Sequence, residues 1–188
     1  SIMSQFPHEC IGEIAFAQRK KVCVDNIRGL RNEIYQHGDF ILKNGSNSQH
    51  YINLRALWSY PVTMNLLSLT FASQISPSLI CGVPIGALPL ASLISFHTCQ
   101  PLIVVRHEVK DHGMARQIEI APSNPMRNVT IIEDVITSGS SIVKTATILE
   151  EAGYTVDGVY AILDREEDKV PELSKYRWRA LMTMSELL

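Results

Sequence analysis

The sequence predicts an α/β fold with a mainly parallel central sheet, on three observations. Helix-like and strand-like patterns alternate along the chain, with no internal repeat and no low-complexity linker between them. The strand candidates at 102–105 and 129–132 are unbroken aliphatic runs, as expected of strands covered on both faces. Small-residue turns follow two of the strand candidates and lead into helix patterns, at Gly82-Val83-Pro84 and at 137–141.

Length and composition set the frame. At 188 residues and 46% apolar composition the chain can bury one substantial core and is short for two, so residues 1–188 are read as a single domain. Residues 1–16 carry the least pattern and are expected to form a poorly ordered lead. Ser1 and Ile2 stand before Met3, as they would in a cloning remnant or an internal piece of a longer chain. The net charge of −2 spreads over 17 basic and 19 acidic residues without a long block of one sign, which argues against nucleic-acid and membrane-surface binding. Cys10, Cys23, Cys81 and Cys99 form no C-x-x-C pair, and no basic segment leads into a signal-like apolar run. No apolar stretch approaches the roughly 20 residues that cross a bilayer. Reduced thiols and a cytoplasmic protein are the expectation.

The elements follow in order. Residues 17–36 read as a helix with Val22, Ile27, Leu30 and Ile34 toward one face, ended by Gly38. Strands at 39–42 and 50–54 flank the polar turn 43–48 and make a hairpin. Pro61 starts a helix that runs to Gln74. Residues 79–81 are a short buried strand, and 88–96 the helix after its loop. The strand at 102–105 runs into a polar segment, 106–119, that reads as a mobile surface loop, disordered in part of 107–119 without ligand. Residues 129–132 are the next strand, 140–152 a helix ending at Gly153, and 156–163 a further strand. The remainder adds a short helix, a strand at 179–182 and a terminal turn.

The most informative stretch is Val129-Thr130-Ile131-Ile132-Glu133-Asp134-Val135-Ile136-Thr137-Ser138-Gly139-Ser140-Ser141. An aliphatic strand of an open parallel sheet brings its carboxyl end to the crevice where ligands bind, and Glu133 and Asp134 stand at that end. The loop from Thr137 to Ser141 can turn around Gly139 and aim backbone N–H groups, hydroxyls and a helix N-terminus at a phosphate. Two carboxylates beside such a cradle would repel a bare phosphate, so they suit sugar hydroxyls or a cation. An ordinary strand-to-helix turn with capping serines would look similar. Neither G-x-x-x-x-G-K-[ST] nor G-x-G-x-x-G occurs, which removes support for triphosphatase and dinucleotide readings. His8, His37, His50 and His97 lack metal-like spacing, and no structural zinc site is suggested.

This stretch resembles the 5-phosphoribosyl-1-pyrophosphate (PRPP) motif of type I phosphoribosyltransferases. From about Gly38 onward the chain is similar to the orotate phosphoribosyltransferases. Phe40-Ile41-Leu42-Lys43-Asn44-Gly45 and Tyr51-Ile52-Asn53-Leu54-Arg55 resemble that family's F-x-L-K-S-G and Y-I-D-L-R stretches. The stretch from Cys81 to Ala91 resembles its pyrophosphate loop, and could equally be a helix entrance. Arg106-His107-Glu108-Val109-Lys110-Asp111-His112-Gly113 resembles its catalytic loop, and Leu163-Asp164-Arg165-Glu166 its L-D-R-x segment. The final Met184-Ser185-Glu186-Leu187-Leu188 resembles the end of the transferase domain in bifunctional UMP synthases.

The resemblance implies a type I phosphoribosyltransferase fold: a central, mainly parallel twisted sheet flanked by helices, with a small hood from the N-terminal region and the C-terminal segment. It implies Lys110, Arg106, His112 and Asp134 as catalytic residues. For PRPP it implies Lys43, Arg106, His107, Lys110, His112, Glu133, Asp134, Val135, Ile136, Thr137, Ser138, Gly139, Ser140 and Ser141. For orotate it implies Lys43, Tyr51, Ile52, Thr137 and Arg165, a guanidinium being suited to an anionic, carbonyl-rich pyrimidine. Mg²⁺ is the expected cofactor, held mainly through PRPP, and a homodimer that exchanges catalytic loops is the expected assembly. The chain departs from the family pattern at His107, where a second basic residue is usual, at Ile85, where tyrosine is usual, and at Ile120, where many relatives carry glycine. A transferase for another base, or a binding or regulatory protein on the same fold, are the competing readings.

Overall fold

A computed structural model describes residues 8–42, 45–109 and 116–188. The chain opens with helix α1 (His8–Gly29) and a single helical turn α2 (Arg31–Ile34), followed by a hairpin of β1 (Tyr35–Ile41) and β2 (Asn47–Ile52). After a 3₁₀ turn (Leu54–Ser59) come α3 (Pro61–Ala72), β3 (Leu79–Gly82), α4 (Leu88–Thr98), β4 (Leu102–Val105) and β5 (Ile118–Glu119). The second half contains β6 (Asn128–Ile136), α5 (Ser140–Glu151), β7 (Thr155–Asp164), a 3₁₀ turn (Pro171–Lys175), β8 (Trp178–Thr183) and α6 (Met184–Leu187).

Six strands form one sheet in the order β5-β4-β3-β6-β7-β8, with β5 antiparallel to β4 and the other neighbours parallel. The expected mainly parallel sheet is therefore present. Strand alternation sends successive side chains to opposite faces. Ile80 and Ile132 join a core built with Cys23 and Ile27 of α1, Leu67 and Phe71 of α3, and Leu90 and Ile94 of α4. Leu79, Cys81, Val129 and Ile131 join a second core with Ile142, Ala146 and Leu149 of α5. Burial pushes the Cys81 thiol up to about 12, so it acts as a small apolar side chain. Cys23, Cys81 and Cys99 are all free. Among the described residues no helix is long and apolar enough to cross a membrane.

The hairpin stands apart as a two-stranded antiparallel sheet. Its presence matches the sequence reading, but its start does not. The helix expected over 17–36 ends at Gly29, and Gly38 is a residue of β1 rather than a helix terminator. Tertiary pairing overrides helical periodicity here: Tyr35 aligns with Ile52, and the Asn53 N–H donates to the Ile34 carbonyl at 2.8 Å. Gly38 falls where the register shifts between His37 and Phe40, at a bulge. The strand expected at 129–132 is longer, and carries Glu133 and Asp134 within it to Ile136.

Strand β3 has β4 on one side and β6 on the other, and the chain winds outward in opposite directions from that pair. The crevice beyond the carboxyl ends of β3 and β6 is the place where such sheets bind ligands. Ile131 is fully buried midway along β6. Ile131→Ala is expected to lower stability by about 2–5 kcal/mol, read by urea denaturation with an unchanged slope. A change within experimental scatter would show that β6 is not the centre of the core.

Candidate active site

At the carboxyl end of β6, Thr137, Ser138 and Gly139 turn the chain into α5. Gly139 precedes the first helical residue with φ +83°, in the left-handed region that favours glycine. A Cβ there would stand 2.6 Å from Leu173 Cδ2, so packing excludes a side chain as well. The Ser140 N–H donates to Ser138 Oγ at 3.3 Å, and the two hydroxyls lie 3.2 Å apart. The leading N–H groups of α5 lack helical acceptors and, with the helix dipole, present positive potential at this turn.

A second segment is laid directly on the turn. The Arg165 N–H donates to the Ile136 carbonyl at 3.0 Å and the Val170 N–H to the Ser138 carbonyl at 2.9 Å. Within that segment Lys169 pairs with Asp164 at 2.9 Å, and Glu166, at φ +60°, accepts the Ser185 N–H at 2.7 Å. The result is a cleft of about 840 Å³ lined by Leu42 and Ser46 of the hairpin, Thr137, Ser138 and Ser140 of the turn, and Arg165, Glu166, Glu167 and Asp168. The Arg165 side chain is 11% exposed, its Nη2 is 3.8 Å from a Glu167 carboxylate oxygen, and its Nε is buried without a hydrogen-bond partner. An unsatisfied buried donor of this kind costs on the order of 1–3 kcal/mol.

The loop after β3 flanks the other side of the crevice. The Val83 N–H donates to the Ile132 carbonyl at 2.9 Å, and Gly86 lies so close to Asp134 that a Cβ would be 2.4 Å from Asp134 Oδ2. The two carboxylates differ. Glu133 is 6% exposed, with Oε1 accepting the Asp134 N–H at 2.9 Å, whereas Asp134 is half-buried and accepts the Val135 N–H at 2.7 Å. Burial first, and the adjoining Asp134 second, hold the Glu133 carboxyl well above the usual carboxylate range.

The remaining residues singled out in the sequence distribute as follows. Val135 and Ile136 pack into the cores, leaving only their backbone to the site. Ser141 is exposed on the first turn of α5, where its carbonyl accepts the Thr145 hydroxyl at 3.0 Å. Arg106 is half-exposed and pairs with Glu119 at 3.3 Å. His107 turns onto α5, with Nε2 2.7 Å from Thr145 Oγ1, and burial followed by Lys144 lowers its pKa. Tyr51 is exposed and packs on Phe40, and Ile52 packs toward the core; neither lines the cleft. Lys43, Lys110 and His112 lie outside the described residues, as does the central part of the loop expected to be disordered. Leu173 and Thr145 escaped the sequence reading because each acts through a contact across the fold and belongs to no local motif.

No family model matches the chain, whereas solved structures and sequence relatives do. The crystal structure of orotate phosphoribosyltransferase from Aeropyrum pernix superposes with a TM-score of 0.73 at 29% identity, covering 87% of this chain and 94% of that one. The fold is that of a type I phosphoribosyltransferase. Over 151 residues the chain is 34% identical to the orotate phosphoribosyltransferase of Pyrococcus furiosus, spanning 78% of this chain and 82% of that protein. Over 140 residues it is 38% identical to the uridine 5′-monophosphate synthase of Bos taurus, spanning 72% of this chain and 29% of that longer protein. The chain belongs to the orotate phosphoribosyltransferase family.

The buried carboxyl gives the site a pH signature. Its folded pKa is raised above the unfolded value near 4, so its cost is absent below that pH and grows as pH climbs toward the folded value. In ligand-free protein, Glu133→Gln is therefore expected to gain stability relative to the native chain as pH rises from about 4 to 7. A stability difference independent of pH, in urea denaturation across that range, would refute the assignment.

Proposed function

We propose that this cleft transfers the 5-phosphoribosyl group of PRPP to orotate, releasing pyrophosphate and forming orotidine 5′-monophosphate for pyrimidine nucleotide synthesis in the cytoplasm. The observation that carries the proposal is the meeting of the phosphate turn and the largely buried Arg165 guanidinium in one cleft, beyond the carboxyl ends of β6 and β7. The turn 137–141 takes the 5-phosphate on backbone N–H groups and hydroxyls. Arg165 takes an oxygen of the base. Thr137 shares the lining with both and is assigned a contact to each half of the substrate pair.

Displacement at the anomeric carbon builds oxocarbenium character on the sugar and negative charge on the departing pyrophosphate. Asp134 accepts from the ribose hydroxyls, and Glu133, buried behind it, sets its position and field. Backbone N–H groups of the loop after β3 receive the diphosphate. The described cleft lining holds one cation, Arg165, against the acids Glu166, Glu167 and Asp168. The leaving group therefore needs cations from outside that lining, the role assigned to Lys43, Lys110, His112 and Arg106. His107, held neutral on Thr145, adds little to them.

Mg²⁺ suits such a site, because it keeps several waters and is held by one or two carboxylates together with substrate phosphates. Among the described residues no three ligating side chains gather into a metal cage, and Asp134 is the half-buried carboxylate at the crevice. When bound, the ion screens the diphosphate and sugar oxygens. A homodimer in which the loop 106–119 of one subunit serves the neighbouring site completes the reading.

The test is loss of orotate absorbance on mixing with PRPP and Mg²⁺, with uracil and hypoxanthine as competing bases. Orotate-selective turnover is expected, and Lys110→Ala should lower it on the order of 10²- to 10³-fold with the fold intact. Arg165→Ala should raise KM for orotate well above its effect on KM for PRPP. Selective use of another base, or equal effects of Arg165→Ala on both substrates, would overturn the reading.

A further inference from the structure

The opposite end of the sheet carries a second polar pocket. It has a volume of about 200 Å³ and is lined by Ser76, Thr130, Asp157, Tyr160, Arg177 and Arg179, among others. Thr130 lies six residues before Ile136 on β6, which at about 3.3 Å per residue puts this pocket roughly 20 Å from the phosphate turn. The two sites share a strand and no lining residue.

Three features make this pocket an anion receptor. Arg177 and Arg179 flank Trp178 at the start of β8, and both line the pocket with exposed side chains. Among the described residues neither guanidinium has a carboxylate partner in an ion pair. Arg179 lies over the ring of Tyr160, its cross-strand neighbour, with Cζ 5.9 Å from the ring centroid, and the Tyr160 hydroxyl donates to the Gln74 carbonyl at 3.2 Å. Asp157 also lines the pocket, as the extra residue of a bulge where β7 slips against Val129 and Thr130, and its Oδ2 accepts the Asn128 side-chain N–H at 2.8 Å, so the two guanidiniums outnumber one carboxylate there. At the floor, the buried Thr130 hydroxyl is 2.7 Å from Ser78 Oγ, so a Ser78 that donates leaves the Thr130 proton to point into the pocket.

Two adjacent like charges without a counter-ion repel, and a bound anion removes that repulsion. The volume equals that of roughly six or seven liquid waters, which accommodates a phosphate ion with part of its hydration shell. It falls below the roughly 300 Å³ at which small-molecule sites begin, and so excludes an enclosed nucleotide. We propose that this pocket is a second, non-catalytic site for inorganic phosphate, held by the Arg177 and Arg179 guanidiniums and the Thr130 hydroxyl.

Isothermal titration of the purified chain with inorganic phosphate should read one site more than the same titration of Arg177→Ala/Arg179→Ala, whose orotate turnover in phosphate-free buffer should be unchanged. Equal stoichiometry in the native chain and a folded double variant overturns the proposal. Should the double variant misfold, tungstate soaked into wild-type crystals should give an anomalous peak between the two guanidiniums, and an empty pocket beside an occupied turn overturns it. Uridine 5′-monophosphate separates the free ion from the phosphoryl end of a larger molecule. It should displace phosphate from the turn alone, and displacement from the arginine pocket would refute the assignment to a free ion.

Discussion

Leu173 occupies the space where any residue other than glycine at 139 would need its Cβ, and the organisation of the cleft rests on that contact. It joins the phosphate turn, which is local to β6 and α5, to a segment that enters only after β7 has been laid down. Two backbone hydrogen bonds, Arg165 to Ile136 and Val170 to Ser138, fix the same pair of segments in register. The guanidinium and the helix N-terminus are thus held by a covalently remote but physically direct clamp. Its far side is anchored where Lys175 reaches Glu150 of α5 at 2.5 Å and the Tyr176 hydroxyl bonds the same carboxylate.

A similar contact organises the other half of the crevice. Gly86 gives up its side chain so that Asp134 can sit over the loop after β3. The two carboxylates at the strand end then divide their roles by burial alone. Glu133 is enclosed and biased toward the neutral form, whereas Asp134 is reachable. Like charges side by side would resist joint ionisation in a low-dielectric site, and unequal burial is a common physical solution. The strand thereby carries sequence information in its aliphatic stem and chemistry in its last residues.

Most of the parallel sheet was legible because its strands are aliphatic runs, and a strand covered on both faces needs no alternation. The phosphate turn was legible because its glycine and hydroxyls are contiguous. The N-terminal boundary was not, since Ile34 fits a helical stripe and only the pairing of Tyr35 with Ile52 starts the strand there. Nor could local pattern show that Glu133 is enclosed while its neighbour is not, that Leu173 covers Gly139, or that His107 is drawn onto Thr145. Each depends on residues 34 or more positions apart or on depth within the fold. His107 stood out in the sequence as a departure from the family pattern, and its hydrogen bond to Thr145 offers a structural reason for a histidine there.

The account stands on a single cleft that holds a phosphate at the turn and a pyrimidine on Arg165. A crystal structure with orotidine 5′-monophosphate bound tests that claim directly. The account predicts the 5′-phosphate on the backbone N–H groups of 138–141 and a pyrimidine oxygen within hydrogen-bond distance of the Arg165 guanidinium. A nucleotide seated with its base elsewhere, out of reach of Arg165, would contradict it.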